Sequence, residues 1–558
     1  MLDDYLSSED QNHQENRISS RMTNIYDVAK WHVFGLLDAT TLANIKLACV
    51  FGSSGNEAIY VTRDDEVFAM GSNVNGCLGV GDVQSSLIPR KIECLSKKGI
   101  STIACGSGPH VIAATEDGEL LSWGHNGYCQ LGNGSTTQGM TPCSISSALN
   151  GSKVVQVSCG SHHTLVRTDR GEVYSWGYNN CGQVGSGATS NISNPRKVSA
   201  TSVLSGKRII SIACGQTSSM ALIDNGEVYA WGYNGNGQLG MGNNVNQPSP
   251  CRVSSLQNVI ISQIVCGYNH TLALSDQGKL YSWGANAYGQ LGTGNKANQV
   301  TATLVDIQEK RVVSVAAIHY SHLSGALLQS GEVYMWGQCR GQSITSPVKT
   351  KFSCLDDMFA CFSTPAVTWR PLTFENFVGR RALEESLMHA FDDENTSDLV
   401  FVVQDNRIHV HKAFLKIRCD YFKTMFQSCW KEDSKDEIEI TQFSYAVYKA
   451  FLQYLYTDSV ELPPEEAISL MDLANAYCET HLKKLCERII KQGITINNAF
   501  HLLAAAIKYE ATDLHEFCFK FCVNHLTDVV QTESFLTFED SYTKDFIIKA
   551  AKWGAFKY

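Results

Sequence analysis

The chain has 558 residues, 44% of them hydrophobic and 18% charged, with a formal net charge of −10. That length exceeds what one hydrophobic core organises, so two to four domains are expected. An acidic sum argues against a protein built to grip nucleic-acid phosphates. The longest strongly apolar run, HLLAAAI at residues 501–507, is too short to cross a bilayer, so no membrane is expected among its partners.

The first 23 residues are polar and acidic, lack the apolar stretch of a signal peptide, and read as a disordered tail. Twenty cysteines follow without a single Cys-x-x-Cys. Four of them, Cys105, Cys159, Cys214 and Cys266, each precede a glycine. They read as reduced, buried thiols, which fits a cytoplasmic or nuclear chain.

From residue 24 to about 370 the sequence repeats. GELLSWGHNGYCQLGNG, GEVYSWGYNNCGQVGSG, GEVYAWGYNGNGQLGMG and GKLYSWGANAYGQLGTG are variants of one pattern. A looser copy begins at Asp65 and a truncated one at Gly331. The anchors Met70, Trp123, Trp176, Trp231, Trp283 and Trp336 stand 53, 53, 55, 52 and 53 residues apart. A sustained period of that size marks a stacked or radial repeat architecture. Each unit carries alternating, β-branched stretches separated by turns such as TDRG and DNG, which makes four strands, one propeller blade. The five tryptophans supply apolar area where glycine supplies sharp turns, and are assigned as structural blade residues.

These motifs resemble the regulator of chromosome condensation repeat. The resemblance implies an all-β, seven-bladed propeller. Six full units are countable. The half-unit DDMFACFSTPAVTW, residues 356–369, and KWHVFGLL, residues 30–37, are expected to complete a seventh blade across the two ends of the repeat region, with six blades as the alternative. Such closure would remove open sheet edges. His110, His163 and His270 share one register on different blades, too far apart for one metal, and are expected to make structural hydrogen bonds.

Residues 371–393 read as a linker and dimerisation helix, in which Leu383, Leu387 and Phe391 recur every four residues on one face and Phe377 precedes them. Residues 394–490 then mix strands and helices: DLVFVV, RIHVHKAFLKIRCDYFKTMFQSCW, EIEIT and SYAVYKAFLQYLYT. This stretch resembles a BTB/POZ domain, an α+β fold, through Ser397-Asp398-Leu399, His409-Val410-His411-Lys412, Tyr421-Phe422, Met425-Phe426 and Tyr454-Leu455-Tyr456-Thr457. Residues 491–558 resemble the helical extension, BACK-like, that follows BTB domains in ubiquitin-ligase adaptors. Within it, Asp513 is expected to cap a helix, with Glu516 three residues on.

The resemblance implies several roles. The helix of residues 371–393 would form a homodimer. Met425, Phe426, Trp430, Lys431 and Glu432 would bind cullin-3, and Asp398 and Lys412 would pair in the domain interior. His409 and His411 are expected to serve the BTB fold rather than a metal. No catalytic, cofactor or metal residues are assigned. The expected function is a non-catalytic substrate adaptor of a cullin-3 ubiquitin ligase, its propeller holding a protein substrate of unknown identity. The alternatives are a guanine-nucleotide exchange factor for a small GTPase and a chromatin-associated regulator of the cell cycle, both suggested by propellers of this family.

Overall fold

The computed structural model describes residues 28–553 and 555, apart from 146–148, 150, 199–202, 309, 375–385, 427–435, 461, 464–465 and 538–539. The expected N-terminal tail therefore lies outside the described residues. The chain forms two compact units, Met1–Glu375 and Asn376–Tyr558.

In the first unit the repeats fold into six antiparallel sheets of four repeat strands each. The third sheet is typical: Val154–Cys159, His163–Thr168, Val173–Gly177 and Ile192–Lys197, in that spatial order. The second strand of a sheet is sandwiched on both faces, and every residue of Ser218–Ile223 and His270–Ser275 is buried. The outermost strand is half-buried to exposed, with no buried residue in Ile192–Lys197. That gradient explains why the second and third strands read as near-continuous apolar runs and the fourth as a polar one.

The seventh blade does not form as a sheet. Residues Val28–Lys30 and His32–Leu36 make short 3-10 turns, and Leu355–Phe362 is an α-helix. Leu355, Met358, Phe359 and Phe362 recur at helical spacing and are buried against Val333 and Met335 of the sixth sheet. Trp31 and Phe34 pack with Ala48, Val50 and Tyr60 of the first. The 3.6-residue period of this stretch prevails over its likeness to a repeat half-unit, and residues 30–37 provide no strand to pair with it. The two ends nevertheless meet: Lys30 Nζ lies 2.7 Å from Asp357 Oδ2, and Thr368 Oγ1 accepts from Val50 N at 3.1 Å. Leu372–Thr373 adds a fifth strand beside Ile45–Phe51. Termini are thus stapled together by helical packing and one short strand rather than by a shared blade.

Neighbouring blades are joined by a repeated polar relay. The indole N–H groups of Trp176, Trp231, Trp283 and Trp336 donate to the backbone carbonyls of Gln130, Gln183, Gln238 and Gln290 in the preceding repeats, at 2.8–2.9 Å. Trp123 donates likewise to Cys77 O at 2.8 Å. The hydroxyls of Ser219 and Ser324 donate to two of the same carbonyls, at 2.7 and 2.8 Å. His163 and His270 then reach Ser219 and Ser324 through Nε2, at 3.0 and 2.8 Å. His110 does the same to Thr164 at 3.1 Å. With the hydroxyl proton committed to the carbonyl, the imidazoles of His163 and His270 donate from Nε2. These histidines are fully buried, and burial pulls each down to about 3. They are neutral blade fasteners.

The second unit is built on a three-stranded sheet in the order Asn406–Val410, Leu399–Val403, Glu437–Ile440, the last pair parallel. Helices Lys412–Arg418, Asp420–Met425, Tyr445–Thr457, Ala467–Ala476 and Thr480–Gln492 surround it. Helices Ala499–Lys508 and Thr512–Asn524 follow, and one continuous apolar cluster runs from Leu399 to Ala550. The helical extension therefore shares its core with the preceding domain. Asp513 falls in the first turn of its helix; Ala511 holds the cap position, so the expected cap is displaced by two residues.

Candidate protein-interaction sites

The second unit carries the predicted recruitment residues. Phe426 is completely buried, stacked on Phe422 with ring centroids 5.8 Å apart. It ends helix Asp420–Met425 and fills the core, so it cannot itself touch a partner; this corrects its assignment as a contact residue. Met425 is half-buried at the edge of that core. Trp430, Lys431 and Glu432 lie outside the described residues. Tyr421, one turn before Met425, is 43% exposed and packs on Tyr477 at 4.1 Å. Ile417, on the preceding helix, is 79% exposed. Sequence reasoning passed over Ile417; its signal was an apolar residue between Lys416 and Arg418.

Of the predicted dimer residues, Phe377 and Leu383 lie outside the described residues. Leu387 and Phe391 are half-buried against their own domain. The Phe391 ring stands 5.3 Å from that of Tyr456, and its amide donates to Leu387 O at 3.0 Å, continuing the helical turn of residues 386–390.

Asp398 and Lys412 are joined, but not as an interior charge pair. Asp398 is exposed. Its Oδ1 accepts from the backbone N–H of Lys412 at 2.6 Å, and Lys412 Nζ lies 3.7 Å from Asp436 Oδ1. Lys412 opens its helix, and the preceding His411 offers no side-chain cap. The carboxylate thus supplies, from the bend just before strand Leu399–Val403, the acceptor that the helix start lacks. His411 is engaged by the Tyr456 hydroxyl, 3.0 Å from Nδ1, and His409 Nδ1 lies 3.3 Å from Ser397 Oγ.

On the first unit, the loops after the first and third strands carry aromatic side chains that the repeat register alone does not require. Tyr128, His162 and Tyr178 cluster with ring centroids 4.7–6.2 Å apart, with His125 beside them. A second cluster joins Tyr268, Tyr288 and His322. Tyr128 and Tyr288 hold the same register, five residues after Trp123 and Trp283, and are 41% and 38% exposed. Burial lowers the His162 imidazole to about 4, so the first cluster is neutral at physiological pH. The equivalent positions Cys181 and Asn236 show what the scaffold tolerates there, and that contrast was the available sequence signal. Such rigid amphipathic rings on loops over a fixed scaffold suit protein recognition. The five structural tryptophans, in contrast, are wholly buried.

A propeller of these repeats joined to a BTB/POZ domain defines the class. The regulator of chromosome condensation (RCC1) repeat model matches residues 64–113, 117–167, 170–222, 225–274 and 277–321, and the BTB/POZ domain model matches residues 387–494. The chain belongs to the RCC1-repeat family and carries a BTB/POZ domain. It is 31% identical over 341 residues to the RCC1 domain-containing protein RUG3, mitochondrial, of Arabidopsis thaliana, covering 58% of this chain and 74% of that one. It is 37% identical over 244 residues to the ultraviolet-B receptor UVR8 of the same plant, covering 44% of this chain and 54% of the receptor. It is also 36% identical over 272 residues to the human E3 ubiquitin-protein ligase HERC2, covering 48% of this chain and 6% of the ligase. The chain thus spans about half the length of the receptor and a small part of the ligase.

Proposed function

We propose that this protein is a non-catalytic adaptor of a cullin-3 ubiquitin ligase. Its BTB/POZ unit dimerises and recruits cullin-3, and its propeller holds the substrate protein. The observation that carries this reading is the joining, in one chain, of a BTB/POZ domain to an RCC1-type propeller whose loops present two aromatic clusters. The adaptor accelerates transfer by proximity, raising the effective concentration of substrate lysines beside the ligase. A dimer doubles both valences. Similarity to part of a protein named as an E3 ubiquitin-protein ligase supports ubiquitin chemistry, over 6% of that ligase.

The cullin contact is assigned to Met425 together with Trp430, Lys431 and Glu432, with the exposed Tyr421 and Ile417 as further apolar contacts. The test is co-precipitation of cullin-3 with the full chain, its Met425→Ala form and its Trp430→Ala/Glu432→Ala form. Strong loss of cullin with retained solubility and dimerisation supports the assignment. Unchanged retention by both variants refutes it. The adaptor works wherever its substrate resides, in cytoplasm or nucleus.

A further inference from the structure

The inner strands of the propeller surround a central cavity of about 380 Å³. Its wall includes Cys49, Cys105, Cys159, Cys214 and Cys266. Four of these occupy the repeat register immediately before a glycine. In the first blade that register, before Gly52, belongs to Phe51, and Cys49 lies two residues earlier on the same face of the strand. The displacement brings its sulfur against the next blade: Cys49 Sγ and Cys105 Sγ are 3.8 Å apart. Thr368 Oγ1 lies 3.6 Å from the Cys49 sulfur. Tyr320, which also lines the cavity, donates its hydroxyl to Gly106 O at 2.8 Å and accepts from Gly52 N at 3.4 Å. One phenol therefore holds the chain just beyond each of the two cysteines.

We propose that Cys49 and Cys105 are a hydroperoxide-responsive dithiol that closes to a disulfide inside the propeller cavity. The two sulfurs are already at contact distance across a blade junction, and the cavity admits a molecule as small as hydrogen peroxide. The interaction with Cys105 holds the Cys49 thiol below its ordinary value, whereas burial drives Cys105 well up. Cys49, which has the Thr368 hydroxyl 3.6 Å from its sulfur as a donor, is assigned as the attacking sulfur. Its thiolate takes one oxygen of the peroxide, the O–O bond breaks, and the departing hydroxide takes up a proton as water. The resulting Cys49 sulfenic acid is attacked by Cys105, which gives up its thiol proton as the S–S bond forms and the sulfenic hydroxyl leaves as a second water. Two thiols lose two electrons and one hydrogen peroxide gains them. Drawing the sulfurs to a bond of ~2.05 Å tightens the junction between the first two blades and disturbs the Tyr320 bridge that spans it.

The test uses the full chain titrated with hydrogen peroxide under native conditions, then alkylated and digested without reductant. The expected product is a peptide pair linked through Cys49 and Cys105 that grows with peroxide and disappears after reduction. In a Cys105→Ser chain the reaction stops one step earlier, and a dimedone-trapped sulfenic acid accumulates on Cys49 beyond the wild-type level. Recovery of both residues as free thiols, at a dose that oxidises the exposed Cys94 and Cys143, overturns the proposal, as does linkage of Cys49 to any other cysteine. The wild-type arm does not depend on a variant folding.

Discussion

Gly185 and Trp231 provide a quantitative test of how the blades hold together. Gly185 has φ +73°, and a Cβ added there would sit 2.8 Å from Trp231 Nε1 and 3.0 Å from its Cδ1. Gly331 has a similar φ of +81° with nothing within 4 Å. Gly331→Ala thus pays only for a left-handed L-residue, ~1–2 kcal/mol. Gly185→Ala pays that and also displaces a close-packed indole, adding ~1–3 kcal/mol as overpacking. Trp231→Phe loses the indole donor to Gln183 O, but Ser219 still satisfies that carbonyl at 2.7 Å. Its cost is therefore one hydrogen bond and a partial cavity, ~2–3 kcal/mol. In the double variant the smaller ring makes room for the new methyl. The two changes should then be less than additive by ~1–2 kcal/mol, within the range for residues in contact. The assay is urea unfolding of the full chain followed by tryptophan fluorescence, because seven of the nine tryptophans precede residue 370. Additivity within ~0.5 kcal/mol would refute the claim that this glycine exists to seat the neighbouring blade's indole.

The buried histidines predict a pH dependence. His110, His163 and His270 fall from an ordinary value of 6.5 to about 3 in the fold. Below pH 6.5 the unfolded chain binds protons that the folded chain refuses, so stability falls on acidification, by ~1.5 kcal/mol per histidine between pH 6.5 and 5. His163→Gln should flatten that slope by one histidine's share, which urea midpoints across pH will show; an unchanged slope contradicts it. Asp398→Ala should cost ~1 kcal/mol by uncapping the helix at Lys412, and Asp398→Asn less, both read by thermal unfolding. If the two substitutions are equally harmless, the carboxylate is not capping that helix. Phe426→Ala should cost ~3–5 kcal/mol as a core deletion, whereas Met425→Ala, at the half-buried edge of that core, should cost clearly less, ~1 kcal/mol. Equal effects of the two would contradict their placement.

Much of the propeller was legible because its physics repeats. Each tryptophan needs a glycine beneath it and a carbonyl beside it, so the pattern recurs every 52–55 residues and exposes itself. The histidine register was likewise readable as structural, although its cross-blade hydroxyl partners were not, since Thr164, Ser219 and Ser324 lie 54–56 residues away from the imidazoles they serve. The closure of the ring was misread for the opposite reason. Residues 355–362 occur once, so no repeat could correct a resemblance that their helical spacing contradicts. In the BTB/POZ unit the apolar pattern announced helices but not which face of Met425-Phe426 turns inward. Nor could Asp398 be seen as a cap, since it reaches Lys412 from another element 14 residues distant.

Adaptor function requires that a dimer engage cullin-3 and a client at once. Analytical ultracentrifugation of the full chain, alone and with the cullin-3 N-terminal region, tests this most directly. The account predicts a dimer that binds two cullin fragments and shifts to a two-to-two mass, with the shift abolished by Trp430→Ala/Glu432→Ala. A monomer whose sedimentation is indifferent to cullin-3 would contradict it.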